Sequence, residues 1–330
     1  MYLNQLKRFY KIVLVTIVTI YIVIIAGSIV RSTGSGMGCP DWPKCFDTYI
    51  PPTHESQLPA NYKVRYSVKG HPAEFNVYKT WTEYGNRLIG AISGLVVIFQ
   101  CIYAIRFFKS KSKFFWYSFL LVILMGLQGV LGAKVVYSLL APLLITLHMF
   151  FALVILGILV WLVVAVKIEI NTQSINLDLN KSSETLPKIY SRIMWVFIVL
   201  TAIQIFLGTE VRSEIDVLSF ALDYQEKETW IDRIGIAFII HRSYSIVLTL
   251  ATALFAYKIY QTRQLNPIAF NYAKAICIVM FFEILAGIIL SYCALPAWVQ
   301  PIHLLLATIL LGLQMAFVFR FMVGQNIRSV

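Results

Sequence analysis

Charge is scarce in this chain. Asp, Glu, Lys and Arg make up 13% of its 330 residues, against 59% hydrophobic, and mean hydropathy is +0.75. A soluble domain would carry about twice that charged fraction. Ten-residue segments of alternating hydrophobicity are also missing, which removes a transmembrane β-barrel. No small-residue cleavage site follows the first apolar run and no transit peptide precedes it, so that run reads as a permanent helix. Cysteine is sparse, with five in all. Cys39 and Cys45 share one polar stretch, and His54 and His71 do not stand at finger spacing from them, which disfavours a zinc site there.

What is present is a series of eight apolar runs near the length an α-helix needs to span hydrocarbon, roughly 12–30, 84–105, 114–135, 143–166, 193–211, 234–257, 275–294 and 302–319. The formal net charge of +12 is distributed by topology. Lys7, Arg8 and Lys11, then Arg106, Lys109, Lys111 and Lys113, then Lys167, Lys181, Lys188 and Arg192, then Lys258, Arg263 and Lys274, and finally Arg320 and Arg328 lie at alternate ends of the runs. These are 16 of the 28 basic residues. The positive-inside rule puts that side, and both termini, in the cytoplasm. The basic balance therefore does not call for a nucleic acid partner.

The two halves of the chain repeat. Gly208-Thr209-Glu210-Val211-Arg212-Ser213 echoes Gly27-Ser28-Ile29-Val30-Arg31-Ser32. Ala286-Gly287 echoes Gln128-Gly129, and Ile302-His303-Leu304 echoes Leu147-His148-Met149. Asn86 precedes His148 by 62 residues, and His241 precedes His303 by 62. The expected fold is an all-α membrane protein of eight transmembrane helices, arranged as two repeated four-helix bundles. Residues 1–166 would form an N-terminal half with a long outer loop, 31–80. Residues 167–192 would be a cytoplasmic linker, and 193–330 the C-terminal half.

The second run opens with Trp81-Thr82-Glu83-Tyr84-Gly85-Asn86-Arg87. Glu83, Asn86, Arg87, Gly90 and Gly94 fall on one helical face, polar above and small below. A carboxylate and a guanidinium entering a membrane mark a functional site by default. Close helix packing is the expected use of the third helix's glycines, Gly129 and Gly132.

Three of the five histidines, His148, His241 and His303, lie in apolar helices at repeat-related positions. One such residue alone is as well explained by packing. Facing imidazoles from neighbouring helices are a usual grip on haem iron, and His241 with His303 fits a bis-His, b-type haem. The absence of Cys-x-x-Cys-His excludes covalent attachment. The first half pairs His148 with Asn86, an amide that makes a poor iron ligand. Its iron face would be open, beside Glu83. The second half has Phe238 where Glu83 stands in the first. Arg31, Arg87, Arg212 and Arg242, and with less support Lys134, approach the outer boundary, where they would meet propionates or snorkel to head groups. Cys39 and Cys45 read as a structural bridge, a redox pair or two free thiols. Cys101, Cys277 and Cys293 read as packing residues, with Cys293 the one able to face outward.

The stretch from Arg31 to Cys45, Arg-Ser-Thr-Gly-Ser-Gly-Met-Gly-Cys-Pro-Asp-Trp-Pro-Lys-Cys, together with Glu83-Tyr84-Gly85-Asn86-Arg87-Leu88, His241-Arg242 and His303, resembles the haem A synthase family. The resemblance covers essentially the whole chain. It implies a bacterial cytoplasmic-membrane oxidoreductase that turns the methyl group of haem O into the formyl group of haem A for cytochrome oxidase. His241 and His303 would be axial ligands of a haem b cofactor, and His148 a ligand of the substrate haem O. Glu83 would be the catalytic carboxylate, and Cys39 with Cys45 the family's outer-loop pair. The family often has His where this chain has Asn86, and some relatives carry a second cysteine pair in the outer loop near 212–232, which has none here. Candidate partners are haem O, an electron acceptor (a quinone or a membrane redox protein), haem O synthase and a second copy of the chain. The main competing expectation is a dihaem b-type electron carrier. A transporter on the same repeat would need charge near mid-membrane.

Overall fold

The computed structural model describes residues 1–67, 72–175, 186–222 and 225–326. Eight helices in it are long and apolar enough to cross a membrane. They are α1 (Tyr2–Ser32), α2 (Val77–Ala104), α3 (Ser112–Tyr137), α4 (Pro142–Ile175), α5 (Lys188–Ala221), α6 (Ile236–Gln261), α7 (Pro267–Tyr292) and α8 (Val299–Asn326). Among the described residues there is no strand, only one isolated bridge between Cys45 and Thr48. The chain is an all-α, multi-pass membrane protein.

The helices are longer than the apolar runs. At 1.5 Å per residue, a 26-residue helix such as α3 reaches about 39 Å, beyond the hydrocarbon core. Their extra turns carry the polar ends. Asn76 caps α2 by accepting from the amides of Tyr78 (3.0 Å) and Lys79 (3.1 Å). Asn266 caps α7 through the Ala269 amide at 3.0 Å, with Pro267 opening the helix. Because α4 runs to Ile175 and α5 begins at Lys188, both ends of the linker expected at 167–192 are helical, and its middle falls on 176–185. That stretch, like His71 and Arg328, lies outside the described residues.

Contacts divide the chain into two compact units: residues 15–156, and residues 1–14 with 157–330. In the second unit α5, α6, α7 and α8 pack in a closed ring, each against two of the others. Aromatic contacts run through it, from Phe197 to Phe255 (ring centres 5.6 Å apart) and from Phe255 to Phe317 (5.9 Å). The membrane segments are not uniformly apolar: Gln100, Ser118, Thr201, Thr252 and Gln314 are all buried.

In the first unit the long loop folds into a cap of its own. Cys39 and Cys45 form a disulfide. Both are buried with Phe46 and Tyr62, and Phe75, Tyr66 and Tyr84 pack around them. Asp41 accepts from the amides of Phe46 (2.6 Å) and Asp47 (2.8 Å), two residues at positive φ, and so fixes the turn. Of the remaining cysteines, Cys101 is buried, Cys277 half-buried and Cys293 exposed.

Candidate haem-binding sites

Helical spacing sets Glu83, Asn86 and Arg87 on one face of α2, as i, i+3 and i+4. The cap closes on that face. One Glu83 carboxylate oxygen accepts the Cys39 amide at 2.9 Å, and the other pairs with Arg87. Arg87 also donates to the carbonyls of Cys39 (2.7 Å), Asp41 (2.7 Å) and Lys44 (3.0 Å). The Thr80 hydroxyl donates to the Gly38 carbonyl at 2.9 Å. At Gly38 the loop presses on α2: an added Cβ would overlap the Lys79 backbone and lie 2.8 Å from the Thr80 amide. Glu83 is 4% exposed. Taking its charge out of water is costly, and the Arg87 guanidinium with one backbone amide offsets the cost.

Asn86 continues this face. A Cβ on Gly27 of α1 would lie 3.9 Å from its Oδ1. His148 on α4 lies against Gly132 of α3, where an added Cβ would be 3.7 Å from its Cε1. The Gln128 amide donates to the His148 carbonyl at 3.0 Å. Gly90, Gly94 and Gly129 face open space, with nothing within 4 Å of an added Cβ. Gly129 therefore does not serve the close packing expected of it.

The second unit repeats this arrangement. Gly208 of α5 faces His241 of α6, and Gly287 of α7 faces His303 of α8, with added Cβ atoms 3.2 and 3.5 Å from the respective Cε1. The glycine register corrects the sequence echo. Gly287 corresponds to Gly132, not Gly129, since each glycine precedes its histidine by 16 residues (148 − 132 and 303 − 287). Gln204 donates to the His241 carbonyl at 3.0 Å.

The His241 and His303 rings have centres 6.4 Å apart, with planes at 78°. Metal–imidazole nitrogen bonds are about 2 Å long, so a metal held between two opposed rings spaces their centres by roughly 6 Å. The ring spacing fits a bis-His haem. Among the described residues no group of three or more His, Cys, Asp or Glu could hold a bare metal ion. A haem brings four nitrogens of its own and needs only the axial pair.

The boundary cations are not equivalent. Arg87 is committed to the cap. Arg212 donates to Gln300 (2.7 Å) and pairs with Asp216 (2.6 Å). Arg242 and Lys134 are exposed, and Arg31 is half-buried at the end of α1. Glu283 of α7 was not singled out from the sequence. It lies 3.2 Å from His303 Nδ1. Its signal was a lone carboxylate inside an apolar run, 20 residues before His303 as Gln128 is before His148.

The cytochrome oxidase assembly protein family COX15-CtaA matches residues 10–315. A heme A synthase of Rickettsia africae is 27% identical over 88% of this chain and 91% of its own length. One from Exiguobacterium sibiricum is 26% identical over 59% of this chain, and one from Alkalihalophilus pseudofirmus 31% identical over 39%. The chain spans 56% and 37% of those two relatives, about half or less of each. With a match running through nearly the whole chain, this protein belongs to the COX15-CtaA family of cytochrome oxidase assembly proteins.

Proposed function

We propose that this protein is a haem A synthase, an oxidoreductase of the bacterial cytoplasmic membrane with both termini in the cytoplasm. The observation that carries the reading is the inequality of two sites built to one pattern. His241 and His303 stand at bis-ligand spacing, whereas His148 has Asn86 as its counterpart. A closed iron suits electron transfer and an open one suits chemistry. The relatives named heme A synthase support haem A synthesis in general.

In this reading residues 1–166 take haem O as substrate, with His148 on its iron, and residues 193–330 hold haem b on His241 and His303. Haem b supplies a one-electron relay toward a quinone or a membrane redox protein. The methyl group and water give a hydroxymethyl group, two protons and two electrons. A second water and the loss of two more of each give the hydrated aldehyde, which releases water to leave the formyl group. Glu83 accepts a proton from the substrate side and stabilises positive charge developing at the methyl carbon. Arg87 holds that carboxylate and the Cys39–Cys45 cap in register. Arg242, exposed beside His241, would meet a propionate; Arg31, Arg87 and Arg212, which have interactions of their own, would serve it by sharing them. Haem O synthase is the upstream partner this chemistry requires.

The test is haem extraction from protein expressed with and without a haem O source. Haem A should appear only with the source, and should be lost in Glu83→Gln while haem b remains. Two haem b per chain, indifferent to Glu83, would replace the synthase with a dihaem electron carrier.

A further inference from the structure

The two ligand histidines proposed for haem b differ in what stands behind them. His303 Nδ1 lies 3.2 Å from a Glu283 carboxylate oxygen, and the two side chains are 25% and 13% exposed. Neither His303 Nδ1 nor His241 Nδ1 makes a hydrogen bond of good geometry, and among the described residues only His303 has a carboxylate within ion-pair distance. The other Glu283 oxygen is also buried without a partner, and among the described residues no cation pairs with this carboxylate. A bare carboxylate inside an apolar helix is costly unless something nearby uses its charge. At the corresponding place the first unit has Gln128, whose amide is spent on the His148 carbonyl. The carboxylate is thus particular to the bis-His site.

The tautomer of a metal-bound imidazole is set by what its far nitrogen meets. A carboxylate at Nδ1 keeps the proton there, leaves Nε2 as the ligand atom and makes the ring more basic. It also adds negative charge near the iron, which opposes reduction. His241, lacking such a partner, is the weaker donor of the pair.

We propose that Glu283 is a positioning residue for His303, holding Nε2 toward the haem b iron and lowering the potential at which that iron takes up an electron. Haem b would then give up electrons readily to a quinone-level acceptor. The proposal rests on the bis-His haem b reading above.

The experiment is a potentiometric titration of the haem b absorption band in purified full-length protein, for wild type, Glu283→Gln and Glu283→Asp, with low-temperature electron paramagnetic resonance of each. Glu283→Gln should raise the ferrous-to-ferric ratio at a fixed potential at least tenfold, about 59 mV for a one-electron couple. Glu283→Asp should fall between that variant and wild type, and both should remain low-spin. Loss of haem in Glu283→Gln with retention in Glu283→Asp also supports the role, because charge and not volume then holds His303. An unshifted midpoint in Glu283→Gln, or equal haem loss in both variants, overturns the proposal. Wild type lacking a low-spin signal that His303→Ala abolishes would instead overturn the bis-His reading itself.

Discussion

Gly208 faces the ring of His241 so closely that a methyl group on it would stand 3.2 Å from Cε1. The same relation recurs between Gly27 and Asn86, Gly132 and His148, and Gly287 and His303. Four glycines on four helices thus leave room beside four candidate ligand positions. Only at Gly208 is the fit tighter than ordinary contact; at the other three, 3.5 to 3.9 Å, a methyl group would meet its neighbour at van der Waals distance.

Gly208→Ala should therefore displace His241 by a few tenths of an ångström and weaken haem b retention, and Gly208→Leu should abolish it. Gly126→Ala is the control, because its added methyl meets nothing within 4 Å. Haem-to-protein ratios of the purified variants check this. Full haem b content in Gly208→Leu would show that His241 does not need that space.

The Glu83–Arg87 pair makes a second prediction, because its two members should fail differently. Arg87→Ala strips the cap of three carbonyl contacts and leaves a buried carboxylate unpaired. Breaking a buried pair in this way costs about 3–5 kcal/mol. Glu83→Gln keeps an acceptor for the Cys39 amide and removes only the charge. Thermal unfolding in detergent should drop clearly for Arg87→Ala and little for Glu83→Gln, while both lose haem A formation. Equal stability of the two would mean that the clamp does not hold the cap.

The eight helices were legible in the sequence because long apolar runs admit no other membrane structure. The histidine pair was legible through its matched 62-residue spacing. The role of Arg87 was not. Read as a boundary cation, it instead faces three backbone carbonyls of a loop more than 40 residues away, which no local pattern reports. The glycines were misassigned by one helical turn, Gly129 for Gly132, because similar small residues recur every turn and only contact with His148 selects between them. Glu283 is visible in the sequence only as a charge in an apolar run; its place beside His303 comes from the packing of α7 against α8.

Asn86 allows a gain-of-ligand test. Its Oδ1 lies near Gly27 as His241 lies near Gly208, so an imidazole placed there has a matching glycine opposite it. Asn86→His should convert the first site to bis-His character and add a second low-spin haem signal. If the open iron face matters, haem A yield should fall. If the yield instead rises, open coordination is not what the reaction uses.

The cap carries an acid-sensitive contact outside the membrane segments. The Tyr62 hydroxyl donates to Glu55 at 2.6 Å, and Lys63 stands 3.6 Å from the same carboxylate. The hydrogen bond first, and the Lys63 charge second, hold the Glu55 carboxyl below its ordinary 4.5. A carboxyl with a depressed folded-state pKa stabilises fully above its unfolded value and loses that contribution as pH falls through the folded one. The Tyr62 phenol is pushed up to about 12, chiefly by the same hydrogen bond, so its share is complete below 10 and lost only as pH rises through about 12. At neutral pH both contributions are intact, and on the acid side only the carboxyl titrates. Lowering the pH from about 5 to about 3 should therefore loosen the cap around Phe46 and Tyr62. Limited proteolysis of the loop at graded pH should show faster cleavage over that range in wild type. Glu55→Gln should cleave at a rate nearly independent of pH there. An acid-induced increase in Glu55→Gln as large as in wild type would overturn the assignment of the sensitivity to Glu55.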